Sequence, residues 1–134
     1  MIEHSEIIIR LILSVIFGGL IGLERELVHR PAGIRTHMLV SLGSALFILI
    51  TLETIPTEIA RIVAGIATGI GFLGAGTIFK AQNEVHGLTT AASIWAVAGV
   101  GMCVGLGLYF MTTVSVLLIL VVLQLHRGDF LKRL

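Results

Sequence analysis

Apolar stretches dominate this chain, at 7–23, 36–52, 59–79 and about 88–125, and short polar connectors separate them. A helix rising about 1.5 Å per residue crosses roughly 30 Å of hydrocarbon in about 20 residues. The first three stretches are therefore one span each, and the last is two. Its break is expected at Gly105-Leu106-Gly107, where glycine favours a tight reversal, giving helix four over 88–104 and helix five over 108–125. The bilayer core offers backbone groups no water, which leaves helices or closed barrels, and these runs lack the alternation of barrel strands. The pattern predicts an all-α, polytopic transmembrane bundle of about five helices, one domain over 1–134.

Composition agrees with a lipid environment. Hydrophobic residues make up 56% of the chain and charged ones 13%, with a mean hydropathy of +1.05, too few polar groups to cover a water-soluble domain. The net charge of +1 gives no reason to expect a nucleic-acid partner. Cys103 is the only cysteine, so no disulfide framework or thiolate metal site is expected. The N-terminus carries Glu3 and Glu6 where a secretory signal would be basic, so the first stretch is read as a permanent span.

The position of charge predicts orientation. Arg25, Arg30 and Arg35 lie in the first connector, Lys80 in the third, and Arg127, Lys132 and Arg133 in the tail, while the N-terminus and the second connector are acidic. Short basic connectors stay in the cytoplasm. Five spans then put the N-terminus outside and the C-terminus in the cytoplasm. Arg10 and Arg61 fall near the outer ends of helices one and three, each within helical reach of an acid, Glu6 and Glu58. Local pairing is one reading of these outer arginines, and a polar cavity facing them is the other.

Glycines recur at four-residue spacing: Gly18 and Gly22, Gly65 and Gly69, Gly101 and Gly105. Such spacing lets helices approach closely in lipid, where van der Waals contact rather than water expulsion drives association. Helical projection aligns Ser14, Gly18 and Gly22 on helix one, His37, Ser41 and Ser44 on helix two, and Thr90, Ser93 and Gly101 on helix four. Helix five shows almost no small or polar face. Helices one to four are thus expected to form the core and helix five to be the most lipid-exposed. Gly69, Gly71, Gly74 and Gly76 weaken helix three by up to about 1 kcal/mol each. That segment is either a backbone surface for a neighbouring helix or a broken helix of the kind that builds ion sites.

GLERE (22–26), PAGIRTH (31–37), GIGFLGAGTIF (69–79) and GLTTAASIW (87–95) resemble, in order and over essentially the whole chain, the signature stretches of the MgtC/SapB membrane proteins. The resemblance implies a bacterial inner-membrane protein of a virulence-associated family, involved in magnesium homeostasis or in adaptation to low magnesium and acid stress. It implies action through contacts with other inner-membrane proteins, with magnesium or other cation transport as the alternative. Many members continue into a cytoplasmic ACT-type domain, and the chain is expected to be a short form without it.

In this topology the signature residues share the cytoplasmic side. Glu24, Arg25, Glu26, Arg35, Thr36, His37, Thr89 and Thr90 are expected to gather as one inner polar vestibule, either as salt-bridged helix ends or as an ion site. Glu24 is the best candidate for Mg2+, because side chains two apart on a helix diverge and Arg25 and Arg35 are placed to hold it; Mg2+ needs only one or two carboxylates beside its waters. Thr89 and Thr90 read as caps or interhelical bonds. No nucleotide loop, activated nucleophile or paired catalytic carboxylates are evident, so no enzymatic chemistry is assigned. Five short helices enclose little space, so a conduction path implies a homo-oligomer.

Overall fold

A computed structural model describes residues 1–125 of the chain. Five α-helices account for most of it: α1 (His4–Leu27), α2 (Ile34–Thr54), α3 (Ile59–Ala75), α4 (Leu88–Gly105) and α5 (Tyr109–Gln124). A 3-10 turn, Pro56–Glu58, leads into α3. Four of the helices are long and apolar enough to cross a membrane, and α5 is shorter at 16 residues. Even so, α5 covers the depth of α1: Tyr109 at its start meets Glu6, while Leu123 near its end shares a cavity with Glu24 and Arg25.

At the centre, α2 and α4 lie side by side, and α1 packs on both. Ile21, Ala45, Ile48, Val97 and Val104 are fully buried there. Glycine sets the spacing. A Cβ on Gly18 would stand 2.7 Å from the carbonyl oxygen of His37, one on Gly22 2.6 Å from the Cα of Ile34, and one on Gly105 2.9 Å from the carbonyl oxygen of Ala45.

The third helix departs from expectation. Gly74, against Ala91 of α4, is its only buried residue, and no atom lies within 4 Å of the Cβ position at Gly65, Gly69 or Gly71. Among the described residues no helix packs on these three glycines, although the spacing of Gly65 and Gly69 matches that of Gly18 and Gly22. Ile66 and Ile70 pack against the core, and an open groove of about 470 Å3 lies between Gly43 and Phe47 of α2 and Ile62, Gly65 and Ile66 of α3. α5 buries Thr112, Val116 and Leu123 and turns Phe110, Leu117, Leu118, Val121 and Val122 outward, so α3 joins it at the periphery of the bundle.

α3 is continuous through Gly69, Gly71 and Gly74 and ends at Ala75, four residues before the expected limit. Thr77 stops it, donating both its amide and its hydroxyl to the Gly74 carbonyl. The third connector, expected as a loop, is a β-hairpin of β1 (Phe79–Ala81) and β2 (Glu84–His86), paired Phe79 to His86, whose rings stack at 5.3 Å. Gln82 and Asn83 both have positive φ, the twist that a two-residue hairpin turn requires. Gly87 follows at φ +88°, with no room for a Cβ beside the Thr77 carbonyl.

At the opposite end Arg10 ties three helices together. Its Nε donates to Glu6 Oε1 at 2.8 Å and its Nη1 to the Gly105 carbonyl at 2.8 Å, while the Tyr109 hydroxyl donates to the same Glu6 oxygen. The Gly105 carbonyl is one that helix geometry leaves without a partner at the end of α4. The expected reversal at 105–107 is present, and Gly107, at φ +76°, leaves its Cβ position to the guanidinium. Arg10→Gln is expected to speed amide exchange at Leu106, Gly107 and Leu108 about tenfold, the worth of one charged hydrogen bond. Unchanged exchange would show that the turn holds itself. Arg61 pairs with Glu58 at 3.1 Å on the exposed surface.

Candidate polar site at the basic end of the bundle

The end of α1 is shaped by its cap. Val28 closes the helix, His29 takes a positive φ, and the amides of Arg30 and His29 donate to the carbonyls of Arg25 and Glu26. This is the Schellman arrangement, with histidine where glycine is usual. It reverses the chain sharply enough that Arg30 turns back beside Glu24 and Arg25, and all three line one cavity with Thr89.

Glu24 and Arg25 are 7% and 3% exposed, and Arg25 Nε meets Glu24 Oε2 at 2.5 Å. The pair lies within one helix, so it neutralises buried charge without tying α1 to a neighbour. Glu24 Oε1 has no hydrogen-bond partner among the described residues. Glu26 serves elsewhere: its Oε2 accepts the Ile34 amide at 2.8 Å, which places a carboxylate on the positive end of α2. Gly33 gives it room, since a Cβ there would stand 2.5 Å from that oxygen.

His37 is fully buried between α2 and α4. Nδ1 lies 2.9 Å from the Gly33 carbonyl and Nε2 3.0 Å from Ser93 Oγ, which is itself 2.8 Å from the Thr90 carbonyl. A carbonyl only accepts, so Nδ1 carries the proton. The Ser93 hydroxyl then has one proton for two acceptors, His37 Nε2 and the Thr90 carbonyl. Ser41, one turn further along α2, is buried, and its hydroxyl has no partner among the described residues.

The expected inner residues therefore occupy separate places. Glu24, Arg25 and Thr89 share a cavity; His37 and Thr90 join through Ser93; Glu26 caps α2; Thr36 is half-buried and Arg35 exposed. Arg30 and Ser93 are the additions. The sequence placed Ser93 on the polar face of α4 but gave it no partner, because His37 lies 56 positions away. As a resident Mg2+ site the cavity is poorly equipped. Glu24 is the one carboxylate of the lining, paired with Arg25 and accompanied by Arg30, and no group of three His, Cys, Asp or Glu suited to a metal occurs among the described residues.

Apolar spans, glycine-spaced crossings and a charged pair buried near one end define a multi-pass α-helical membrane protein. The chain belongs to the MgtC family, whose match covers residues 11–128. It is 44% identical over 113 residues to Protein MgtC of Salmonella typhimurium (strain 14028s), covering 84% of this chain and 49% of that protein. It is 41% identical over 136 aligned positions to YhiD of Escherichia coli (strain K12), covering 94% of this chain and 63% of YhiD. An uncharacterized protein of Haemophilus influenzae is 36% identical over 134 positions. The chain thus spans between about half and under two thirds of the length of these relatives. No solved structure matches it.

Proposed function

We propose that this chain is a non-enzymatic protein of the bacterial inner membrane that serves magnesium homeostasis by contacting other membrane proteins. The link to magnesium comes from its relatives: YhiD is named as a candidate magnesium transporter. The preference for contact over conduction rests on α3. Gly65 and Gly69 have the four-residue spacing for close helix approach, yet among the described residues no neighbouring atom lies within 4 Å of their Cβ positions, while those of Gly18, Gly22, Gly101 and Gly105 are all filled by neighbours. Fully buried Ile21, Ile48, Val97 and Val104 close the bundle between its two polar ends.

Two measurements test this. The purified chain in liposomes is expected to move no Mg2+ above protein-free vesicles, and Gly65→Leu with Gly69→Leu is expected to abolish rescue of growth at low Mg2+ without altering helix content. Magnesium flux that falls in Glu24→Gln would overturn the proposal in favour of transport, the second reading, which the unpartnered carboxylate oxygen of Glu24 supports. The basic connectors and the cytoplasmic placement of this end follow the same reading. Chain mass in the membrane then separates self-association on α3 from a foreign partner.

A further inference from the structure

α3 turns toward the bilayer a face on which no helix packs among the described residues. At about 100° per residue, Arg61, Gly65, Thr68, Gly69 and Phe72 fall within about 100° of arc, and all five are exposed. Beside that face runs the open groove of about 470 Å3, lined by Gly43 and Phe47 of α2 and by Gly65 and Ile70 of α3. We infer that a second copy of this chain occupies this surface, α3 against α3, with the helices crossing at Gly65 and Gly69. The inference rests on the reading of α3 as the contact helix and names its partner.

The polar groups of this face point to a copy. Chains inserted in one orientation pair face to face about a two-fold axis along the bilayer normal, so each residue of α3 meets its twin at the same depth and the patch must complement itself. A hydroxyl does, because it both donates and accepts. Thr68 lies near the middle of α3 and forms no hydrogen bond among the described residues, whereas Thr54 and Thr113, also exposed on helices, donate to the carbonyls of Ile50 and Tyr109. Across the axis the two Thr68 hydroxyls bond to each other, the kind of contact that joins helices in lipid. Nearer the outer end, Arg61 and Glu58 pair at 3.1 Å with 83% and 38% of their side chains exposed. The patch thus carries both signs, and each arginine can also take the twin's carboxylate. At Gly65 and Gly69 the backbones can approach closely, since no Cβ stands between them. Phe72, 85% exposed and about 3 Å along the helix from Ile70, closes the inner end of the partner's groove. An acyl chain would fill the groove but leave Thr68 without a partner.

Single-molecule photobleaching of the labelled full chain, in vesicles of phosphatidylethanolamine and phosphatidylglycerol, counts copies as protein is diluted in lipid. Two copies are expected. The dissociation constant is expected to rise about threefold in Thr68→Val, the average worth of one interhelical hydrogen bond in a bilayer, and to stay unchanged in Thr68→Ser. In a Cys103→Ala background, Thr68→Cys is expected to oxidise to a cross-linked dimer, and Leu117→Cys, exposed on α5, is not. One copy at every dilution, equal cross-linking at 68 and 117, or equal dissociation of Thr68→Val and Thr68→Ser would each overturn the pair. If the chain stays monomeric and Gly65→Leu with Gly69→Leu still abolishes growth rescue, the self-pair fails and the contact reading stands. If the pair forms and those substitutions leave rescue intact, the contact reading fails and the self-pair stands.

Discussion

Alanine at position 101 is expected to lower stability by about 2 kcal/mol, although alanine is the best helix former and glycine among the poorest. The reason is the neighbour. A Cβ on Gly101 would stand 2.2 Å from the carbonyl oxygen of Ser41 and 2.8 Å from its Cα and carbonyl carbon, all rigid backbone. Relief by sliding α2 away from α4 is blocked, because Gly18 of α1 holds Ser41 from the other side, its own Cβ position being 2.7 Å from Ser41 Cβ. Overpacking of this kind costs about 1–3 kcal/mol and sometimes more, against a gain of about 1 kcal/mol in helix propensity. Gly99, two residues away on the same helix, has no atom within 4 Å. Gly99→Ala should therefore stabilise the chain by up to about 1 kcal/mol. Equilibrium unfolding in mixed micelles measures both. Equal behaviour of the two variants would mean that the α2–α4 crossing tolerates more separation than its geometry implies.

The contrast between these two glycines also marks how far the sequence could be read. Helix number and the reversal at 105–107 depend on apolar length and local glycine, and both were legible. So were the acids beside Arg10 and Arg61, since a partner three or four residues away needs only helical geometry. What Arg10 does beyond that, capping Gly105 and sharing Glu6 with Tyr109, joins positions about 100 apart in sequence and left no local trace. The glycine pattern failed for a different reason. Four-residue spacing grants permission for close approach but does not name the neighbour, so α1, α3 and α4 look alike in sequence while only α1 and α4 use their glycines at the core. The hairpin at 79–86 was hidden because its strands have three residues each and its turn is Gln82-Asn83, without the glycine that usually signals it. At the polar end, Glu24 and Glu26 were expected in one vestibule, but side chains two apart on a helix diverge, and in the structure they serve different places. Only the fold reveals that Glu26 caps α2 and that Arg30 comes back beside Glu24.

Removing either member of the Glu24–Arg25 pair is expected to cost about 3–5 kcal/mol, the range for stranding one charge of a buried ion pair. Both side chains are more than nine-tenths buried, so in Glu24→Leu and in Arg25→Leu the remaining charge stays largely desolvated. The double variant should behave differently. Because the pair sits on adjacent residues of one helix, it bridges no helices, and replacing both charges with leucine removes two desolvated groups without breaking a tertiary tie. Its stability is expected to exceed that of either single variant, with a coupling energy of about 2–3 kcal/mol across the cycle. Glu24 Oε1 adds an asymmetry. Arg25→Leu leaves a carboxylate with both oxygens unpartnered, whereas Glu24→Leu leaves a guanidinium beside a cavity that an anion can enter, so the arginine variant is expected to be the less stable of the two. Denaturation of the four proteins in the same micelles decides it. Additive losses would mean that water or lipid already reaches both charges, and that the pair is a surface contact in spite of its burial.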